Sequence, residues 1–112
     1  MEAKRKRVPA DLAYAGEARH FIAWSAAVAG LGAGRLNDLA VAAEAVLTDV
    51  LLSTREGFLE IEASGEDGAF EVRITHPELE ERRMSDLSGI LERFLDDYEI
   101  TATCAVLVKQ IG

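Results

Sequence analysis

Two polar residues interrupt the most regular apolar stretch of the chain, which runs from Arg35 to Ser53. Glu44 and Thr48 stand four residues apart there, so on an α-helix they lie one turn above each other on the same side. A carboxylate and a hydroxyl in that register can line a polar cavity together. They can equally form the solvated edge of the helix, and this stretch alone leaves both interpretations open.

The other side chains with reactive or metal-binding chemistry are scattered. His20, His76 and Cys104 do not have the spacing of a metal-ligand set. We expect His20 to cap the first helix or to be solvated on it. We expect Cys104 to be a small buried apolar residue, because no base stands near it in the sequence.

Two further groups have a structural interpretation beside a chemical one. Ser85 and Ser88 can accept a phosphate, but serines at the start of a helix usually cap it. Glu78, Glu80 and Glu81 form an acidic cluster, which is usually a solvated turn and only rarely a divalent-ion site. Neither group predicts a function by itself.

The charge of the chain is unevenly distributed. The net charge is −8, and Lys4 to Arg7 supply four of the twelve basic residues, so the rest of the chain is strongly acidic. Such a body repels nucleic-acid phosphates and favours a protein partner. We interpret the basic run as protection for an exposed first strand, although a small basic arm is the alternative.

Length and composition indicate one soluble domain over residues 1–112. The apolar fraction of 49% is sufficient for one globular core. A single cysteine, Cys104, excludes an internal disulfide framework and suits a reducing compartment. We expect a cytoplasmic protein with no membrane span, because His20 to Gly34 is too short and too glycine-rich to cross a bilayer and Val8 to Asp11 interrupts any signal peptide.

Periodicity predicts two helices after a first strand over Lys4 to Val8. Asp11 is a plausible N-cap for a helix that ends before the glycine-rich Gly30 to Gly34. The second helix is the stretch that contains Glu44. The predicted buried sides are Tyr14, Ala18, Phe21, Ile22, Ser25 and Val28 on the first helix, and Leu36, Leu39, Ala40, Ala43, Val46, Leu47 and Val50 on the second.

The second half of the chain changes to a period of two. Residues 59–63 and 70–74 alternate apolar and charged side chains around Gly65 to Gly68, which predicts a hairpin ended by Pro77. A third helix is expected from Ser85 or Asp86 to about Asp97, followed by two strands at 98–101 and 104–108. The order β-α-α-β-β-α-β-β predicts an α+β fold, a two-layer sandwich with three helices on one face of a mostly antiparallel sheet of about five strands.

This order, with several local patterns, resembles the histidine-kinase-like ATPase domain of the bacterial anti-sigma-factor serine/threonine kinases. The resemblance covers nearly the whole chain and rests on Val8-Pro-Ala before an amphipathic helix, Leu39-Ala-Val-Ala-Ala-Glu44-Ala, the 57–75 hairpin, Ser88-Gly89-Ile90-Leu91 and Val106-Leu107-Val108-Lys109. It implies that Glu44 is the catalytic base. It also implies that Thr48, with Asp49 next to it, stands where the family has the asparagine that holds magnesium against ATP.

The chain departs from the family in its second motif. His76 stands where the resemblance places an aspartate that binds adenine, and Glu78 and Glu80 stand where it places glycines. Two carboxylates near a triphosphate would repel it by several kcal/mol if poorly solvated. Of the third, glycine-rich motif only Gly89 is present.

We therefore expect a regulatory domain that docks a protein partner, such as a sigma factor or an anti-sigma antagonist, with lost or weak ATP binding and no cofactor. The alternative is an active serine/threonine kinase that uses Mg-ATP. A third interpretation is an unrelated dimerisation or sensory module. Since residues 104–108 are apolar on both faces of their strand, we also expect a homodimer that covers the outer side of the sheet.

Overall fold

The computed structural model of the chain describes residues 3–53, 56–77, 85–101 and 103–112. Its helices and strands follow the predicted order. They are β1 (Lys4–Pro9), α1 (Ala15–Ala29), α2 (Ala33–Ser53), β2 (Phe58–Glu66), β3 (Ala69–Thr75), α3 (Ser88–Phe94), β4 (Asp97–Ile100) and β5 (Cys104–Gln110), with 3-10 turns at Leu12–Tyr14 and Ser85–Leu87.

The five strands form one antiparallel sheet in the order β1-β2-β3-β5-β4. α1 packs over β1, β2 and β3, α2 packs over β5, and α3 lies against α2 and β4. The predicted α+β sandwich with helices on one face is confirmed. β1 and β4 are the two edges of the sheet, and the face away from the helices is here called the open face.

Side chains alternate between the two faces of the sheet as the period of two predicts. The apolar core-facing side chains of the three central strands are each at most 1% exposed, and they are Leu59, Ile61, Ala63, Phe70, Val72, Ile74, Ala105 and Leu107. Glutamate and arginine side chains dominate the open face of β2 and β3. The hydrophobic core therefore lies between the sheet and the helix layer.

The turn of the hairpin is shorter than the segment between the two alternating runs of the sequence. The predicted hairpin is present, and within the Gly65 to Gly68 segment β2 continues through Glu66, so Asp67 and Gly68 alone form the turn. Both have positive φ, 53° and 78°, which is the geometry of the two-residue turn that matches the twist of paired strands.

The ends of the helices differ in detail from the predictions. Asp11 does cap, since its Oδ1 accepts a hydrogen bond from the Ala13 amide at 2.9 Å, but it caps the 3-10 turn that precedes α1. Gly30 ends α1 as predicted, with a left-handed φ of 103°. α3 ends at Phe94, not near Asp97, because Leu95 adopts an extended backbone that leads into β4.

The buried side of α1 also differs from the prediction at its ends. Tyr14 and Val28 are 39% and 51% exposed, whereas Ala26 is fully buried. The small side chains of Ala18 and Ala26 flank Ile22 on the buried side. The predicted stripe therefore included one residue too many at each end.

The strand β5 shows the predicted apolar character on both sides. Its core-facing residues are buried, and Val106 and Val108 on the open face are half-buried. The register sets Val106 between Arg73 and Glu99, and a charged neighbour can shield apolar surface with its aliphatic stem. The prediction that a second copy covers this face stays a prediction.

Candidate functional site

Glu44, the predicted catalytic base, forms an ion pair in the helix layer. Arg19 Nη1 on α1 donates to Glu44 Oε1 on α2 at 2.9 Å. The side chains are 50% and 57% exposed, so the pair lies at the surface where the two helices meet. The carboxylate of Glu44 is therefore held toward α1 by a guanidinium group.

Thr48 and Asp49 follow Glu44 on α2 and are both half-buried. The resemblance places them where the family holds magnesium. They point about 100° apart around the helix. Among the described residues no hydrogen bond joins the side chains of Glu44 and Thr48, and Asp49 makes contacts of its own. The structure thus brings the three residues onto adjacent turns of one helix without a hydrogen bond between the Glu44 carboxylate and the Thr48 hydroxyl.

His76, predicted at the adenine position, is almost fully buried at 1% exposure. Its backbone amide donates to the Thr103 carbonyl at 3.0 Å, and its Nε2 lies 3.0 Å from the Glu56 carbonyl. That distance fits the tautomer in which Nε2 carries the proton and donates. The imidazole thus ties the end of β3 to the chain that enters β2. Glu78, Glu80 and Glu81 lie outside the described residues.

Gly89, the remnant of the glycine-rich motif, is the second residue of α3 and is exposed. A Cβ built on it would meet no described atom within 4 Å. No close backbone approach by the described residues therefore requires glycine at this position. Ser88 begins α3, and the side chain of Ser85 lies outside the described part.

The sequence interpretation missed Lys109, a buried cation. Lys109 is 8% exposed, and its Nζ donates to the Phe94 carbonyl at 2.9 Å. The same Nζ lies 3.4 Å from Asp38 Oδ2 and 3.8 Å from Asp96 Oδ2. Lys109 therefore joins α2, the end of α3 and the residue that precedes β4. The available signal was its place two residues after Leu107, on the core-facing side of β5.

The basic run folds as the predicted edge strand, and its even-numbered lysines face the helices. Lys4 Nζ lies 4.9 Å from the centre of the Trp24 ring, and Lys6 Nζ lies 2.7 Å from Glu17 Oε1. Both partners are on α1. These contacts attach β1 to the helix layer.

The arginines of the run face the other way. Arg5 Nε donates to Glu62 Oε2 at 3.1 Å, and Arg7 Nε lies 3.9 Å from Glu60 Oε1, with both glutamates on β2. The Arg7 guanidinium also stacks over the ring of Phe58 at 4.1 Å. All four cations of β1 thus support its attachment to neighbouring elements.

The two larger cavities with described linings lie on or beside the open face of the sheet. The first, of about 440 Å³, is lined by Arg5, Lys6, Arg7, Glu60, Ile61, Glu62, Arg73 and Thr75. The second, of about 500 Å³, is lined by Arg7, Gly57, Phe58, Glu60, Thr75, Pro77 and Thr103. Both lie on the side of the sheet opposite to α2, and neither is lined by the predicted site residues Glu44, Thr48 or Gly89.

Neighbouring glutamates contribute to raised pKa values at two ionisable groups, Arg73 on β3 and Tyr98 on β4. A hydrogen bond from Arg73 Nε to Glu71 at 3.3 Å, with the charge of that carboxylate, raises the pKa of Arg73. Partial removal of the phenol from water raises the pKa of Tyr98, and the negative charge and hydrogen-bonding oxygen of Glu92 raise it further.

The remaining candidates do not assemble into a reactive centre in the described part of the chain. Cys104 was predicted to be a small buried apolar residue, and it is a half-buried free thiol on the open face, with its Sγ 3.7 Å from Thr75 Oγ1. His20 is exposed on α1, as the solvated alternative predicted. Among the described residues no three His, Cys, Asp or Glu side chains are grouped to hold a metal ion. No described helix is long and apolar enough to cross a bilayer.

The sequence matches no known protein-family model and no curated protein.

Proposed function

We propose that the chain is a regulatory protein-binding domain that acts by docking a partner protein, without phosphoryl transfer. The partner class that the resemblance implies is a sigma factor or an anti-sigma antagonist, in the cytoplasm. The resemblance in the order of the elements supports this proposal, together with the environment of two residues on which nucleotide chemistry would depend.

The observation that carries the proposal is the Arg19–Glu44 ion pair. A general base needs a carboxylate lone pair that can reach the hydroxyl that it deprotonates. Glu44 Oε1 accepts a hydrogen bond from Arg19 at 2.9 Å, on the exposed seam between α1 and α2, so this carboxylate is held toward α1. One hydrogen bond leaves Oε2 available, and the support for docking is the position of Glu44 on the helix seam, outside both cavities of the open face.

The burial of His76 supports the same conclusion. A side chain that reads adenine must present a hydrogen-bonding edge to the base. His76 is 1% exposed, and its Nε2 faces the Glu56 carbonyl. This contact uses one ring nitrogen for the fold and leaves less of the imidazole for a ligand.

The competing function is an active serine/threonine kinase, with Glu44 as base and Thr48 or Asp49 beside the magnesium ion. Thermal unfolding with and without Mg-ATP distinguishes the two. A ligand at one hundred times its dissociation constant stabilises the native state by about 2.7 kcal/mol, which raises the melting temperature of a domain of this size by several degrees. We expect no shift at millimolar Mg-ATP.

A matched pair of variants makes that measurement decisive. If Mg-ATP stabilises the protein, and Thr48→Ala abolishes the effect while Thr75→Ala on the open face preserves it, nucleotide binds beside α2 and the proposed loss of ATP binding is wrong. A shift that both variants retain would place nucleotide elsewhere on the surface and would leave Glu44 without a catalytic role.

The proposed assembly is a homodimer through the open face, with Val106 and Val108 at its centre. These residues are half-buried within the single chain, and a stable dimer needs about 1,000 Å² of buried surface or more. Light scattering at rising protein concentration tests the dimer. Val106→Lys should dissociate it, whereas a monomer at high concentration in the unmodified protein would exclude it.

A further inference from the structure

The edge strand β1 has an unused hydrogen-bonding side. β1 pairs with β2 over six residues, from Lys4 to Pro9, and among the described strands it has no second neighbour. The exposed row of backbone N–H and C=O groups at a sheet edge is a template for one more strand. An extended segment can therefore add to the sheet at β1.

An apolar surface on α1 lies beside this edge. Trp24 and Val28 stand one helical turn apart and are each 51% exposed. The contact between Lys4 Nζ and the Trp24 ring, at 4.9 Å, places this surface next to β1. Large apolar side chains that are exposed singly are common, but a pair beside a free strand edge marks a place where side chains of an added strand would pack.

The charge of the edge determines what can bind. Arg5 and Arg7 are 78% and 63% exposed, and their ion pairs with β2 use the Nε atoms. Within the described residues their Nη atoms make no hydrogen bond, so each guanidinium keeps donors for a second carboxylate. The four cations of β1 stand beside three described carboxylates, those of Glu17, Glu60 and Glu62, so this edge keeps an excess of one positive charge in a chain whose net charge is −8.

We propose that the β1 edge and the Trp24–Val28 surface of α1 together bind an extended segment of a partner protein in which acidic and apolar residues alternate. The segment adds to the sheet as a sixth strand. Its acidic side chains lie on the open face and receive hydrogen bonds from Arg5 and Arg7. Its apolar side chains lie on the helix side and pack against Trp24 and Val28.

The same cations work against self-pairing. A second β1 would bring Lys4 to Arg7 against an identical basic run, and like charges across a strand pair are unfavourable. The other edge, β4, is acidic at Asp97 and Glu99, but its core-facing Tyr98 and Ile100 already pack against the core of their own chain. An external segment fits the apolar surface better than a second copy does. This inference goes beyond the resemblance, and its test is independent of the Mg-ATP test.

The test uses the full chain and a synthetic peptide, Glu-Val-Glu-Leu-Glu-Val, with a control peptide in which lysines replace the glutamates. Trp24 is the only tryptophan, so its fluorescence reports directly on the site. We expect a saturable blue shift with the acidic peptide, stronger binding at low salt, and no response to the lysine peptide. Amide hydrogen exchange should slow in residues 4–8.

Two variants determine whether binding occurs at this edge. Arg5→Gln with Arg7→Gln should weaken acidic-peptide binding about ten-fold or more, because two charge-assisted hydrogen bonds are lost. Arg93→Gln removes an exposed cation on α3, whose described contact is the Phe94 ring, and should leave the affinity within about two-fold. Circular dichroism checks that both variants fold.

Three outcomes would overturn the proposal. The first is no response of Trp24 to the acidic peptide. The second is binding that the double arginine variant retains or that leaves exchange in β1 unchanged. The third is self-association of the protein alone that slows amide exchange in residues 4–8, that Asp97→Lys with Glu99→Lys abolishes and that Val106→Lys preserves, since that result would make β4 of a second copy the occupant of the β1 edge.

Discussion

Arg19 Nη1 donates a hydrogen bond to Glu44 Oε1 over 2.9 Å, and this ion pair links α1 to α2 at the surface of the helix layer. In the sequence, Glu44 is the strongest candidate for a catalytic residue. The pair gives that residue a structural partner that is 25 positions away in the chain. Substitution of Arg19 therefore tests whether Glu44 has a role besides this ion pair.

A double-mutant cycle measures what the ion pair contributes to stability. Both side chains are at least half exposed, so we expect a coupling of about 0.2–1 kcal/mol between Arg19→Ala and Glu44→Ala in urea unfolding. The coupling should shrink at high salt, because solvent screens exposed charges. A coupling well above this range, unaffected by salt, would contradict an exposed pair.

Two glycines should respond to alanine in opposite directions. Gly89→Ala adds a methyl group that meets no described atom within 4 Å, and alanine is the better helix former, so we expect up to about 0.5–1 kcal/mol of added stability. Gly30→Ala should cost about 1 kcal/mol or more, because Gly30 has a φ of 103°. Thermal or urea unfolding measures both. A destabilised Gly89→Ala protein would indicate that the backbone there must approach a residue or ligand closely.

Lys109 should matter more to stability than an exposed lysine of the same charge. Lys109→Met leaves the Phe94 carbonyl, Asp38 and Asp96 without their shared cation, and we expect a loss of about 1–3 kcal/mol.

Lys6→Met is the matched control for Lys109→Met. The Lys6 side chain is 35% exposed and its partner Glu17 48%, so its removal should cost no more than about 1 kcal/mol. Equal losses in the two lysine variants, measured by urea unfolding, would show that the buried contacts of Lys109 contribute nothing beyond those of a surface pair.

Tyr98 should couple stability to alkaline pH. Its pKa is raised in the folded protein, by partial burial first and by Glu92 second, so folding favours the protonated phenol. The stabilisation is fully present below the ordinary tyrosine pKa of about 10 and is lost as the pH rises through the higher folded value. The unmodified protein should therefore lose stability relative to Tyr98→Phe above about pH 10.

The phenolate absorbance of a Tyr14→Phe variant, which retains Tyr98 alone, provides the direct measurement. Its midpoint should be higher in the folded protein than in urea, and Glu92→Gln should lower the folded midpoint. A folded midpoint equal to the unfolded one would contradict the contact between Tyr98 and Glu92.

Local patterns predicted most of the fold because each depends on near neighbours in the chain. The period of two in residues 59–63 and 70–74 identified the hairpin, and the positive φ of Gly30 explains why the glycine-rich stretch ended α1. The errors lie at the ends of elements. Val28 continued the helical spacing but is exposed, since spacing alone does not show where the packing surface of a helix ends.

The candidate site was less predictable for a physical reason. Glu44, Thr48 and Asp49 were identified on one helix by their spacing, but the partner of Glu44 comes from another helix. Lys109 was overlooked because a charged residue in a strand is normally solvated. Its burial depends on acceptors from α2, α3 and the residue that precedes β4, which no local pattern connects.

The sequence by itself determined the order of helices and strands, the alternation of the sheet and the basic character of the first strand, because these follow from backbone geometry and side-chain type within a few residues. The tertiary structure decided which groups meet: Arg19 with Glu44, His76 with the Glu56 carbonyl, and Trp24 with the lysine of a free strand edge. Such pairs join residues from about twenty positions apart upward, and only the packing of the two layers brings them within a few ångströms.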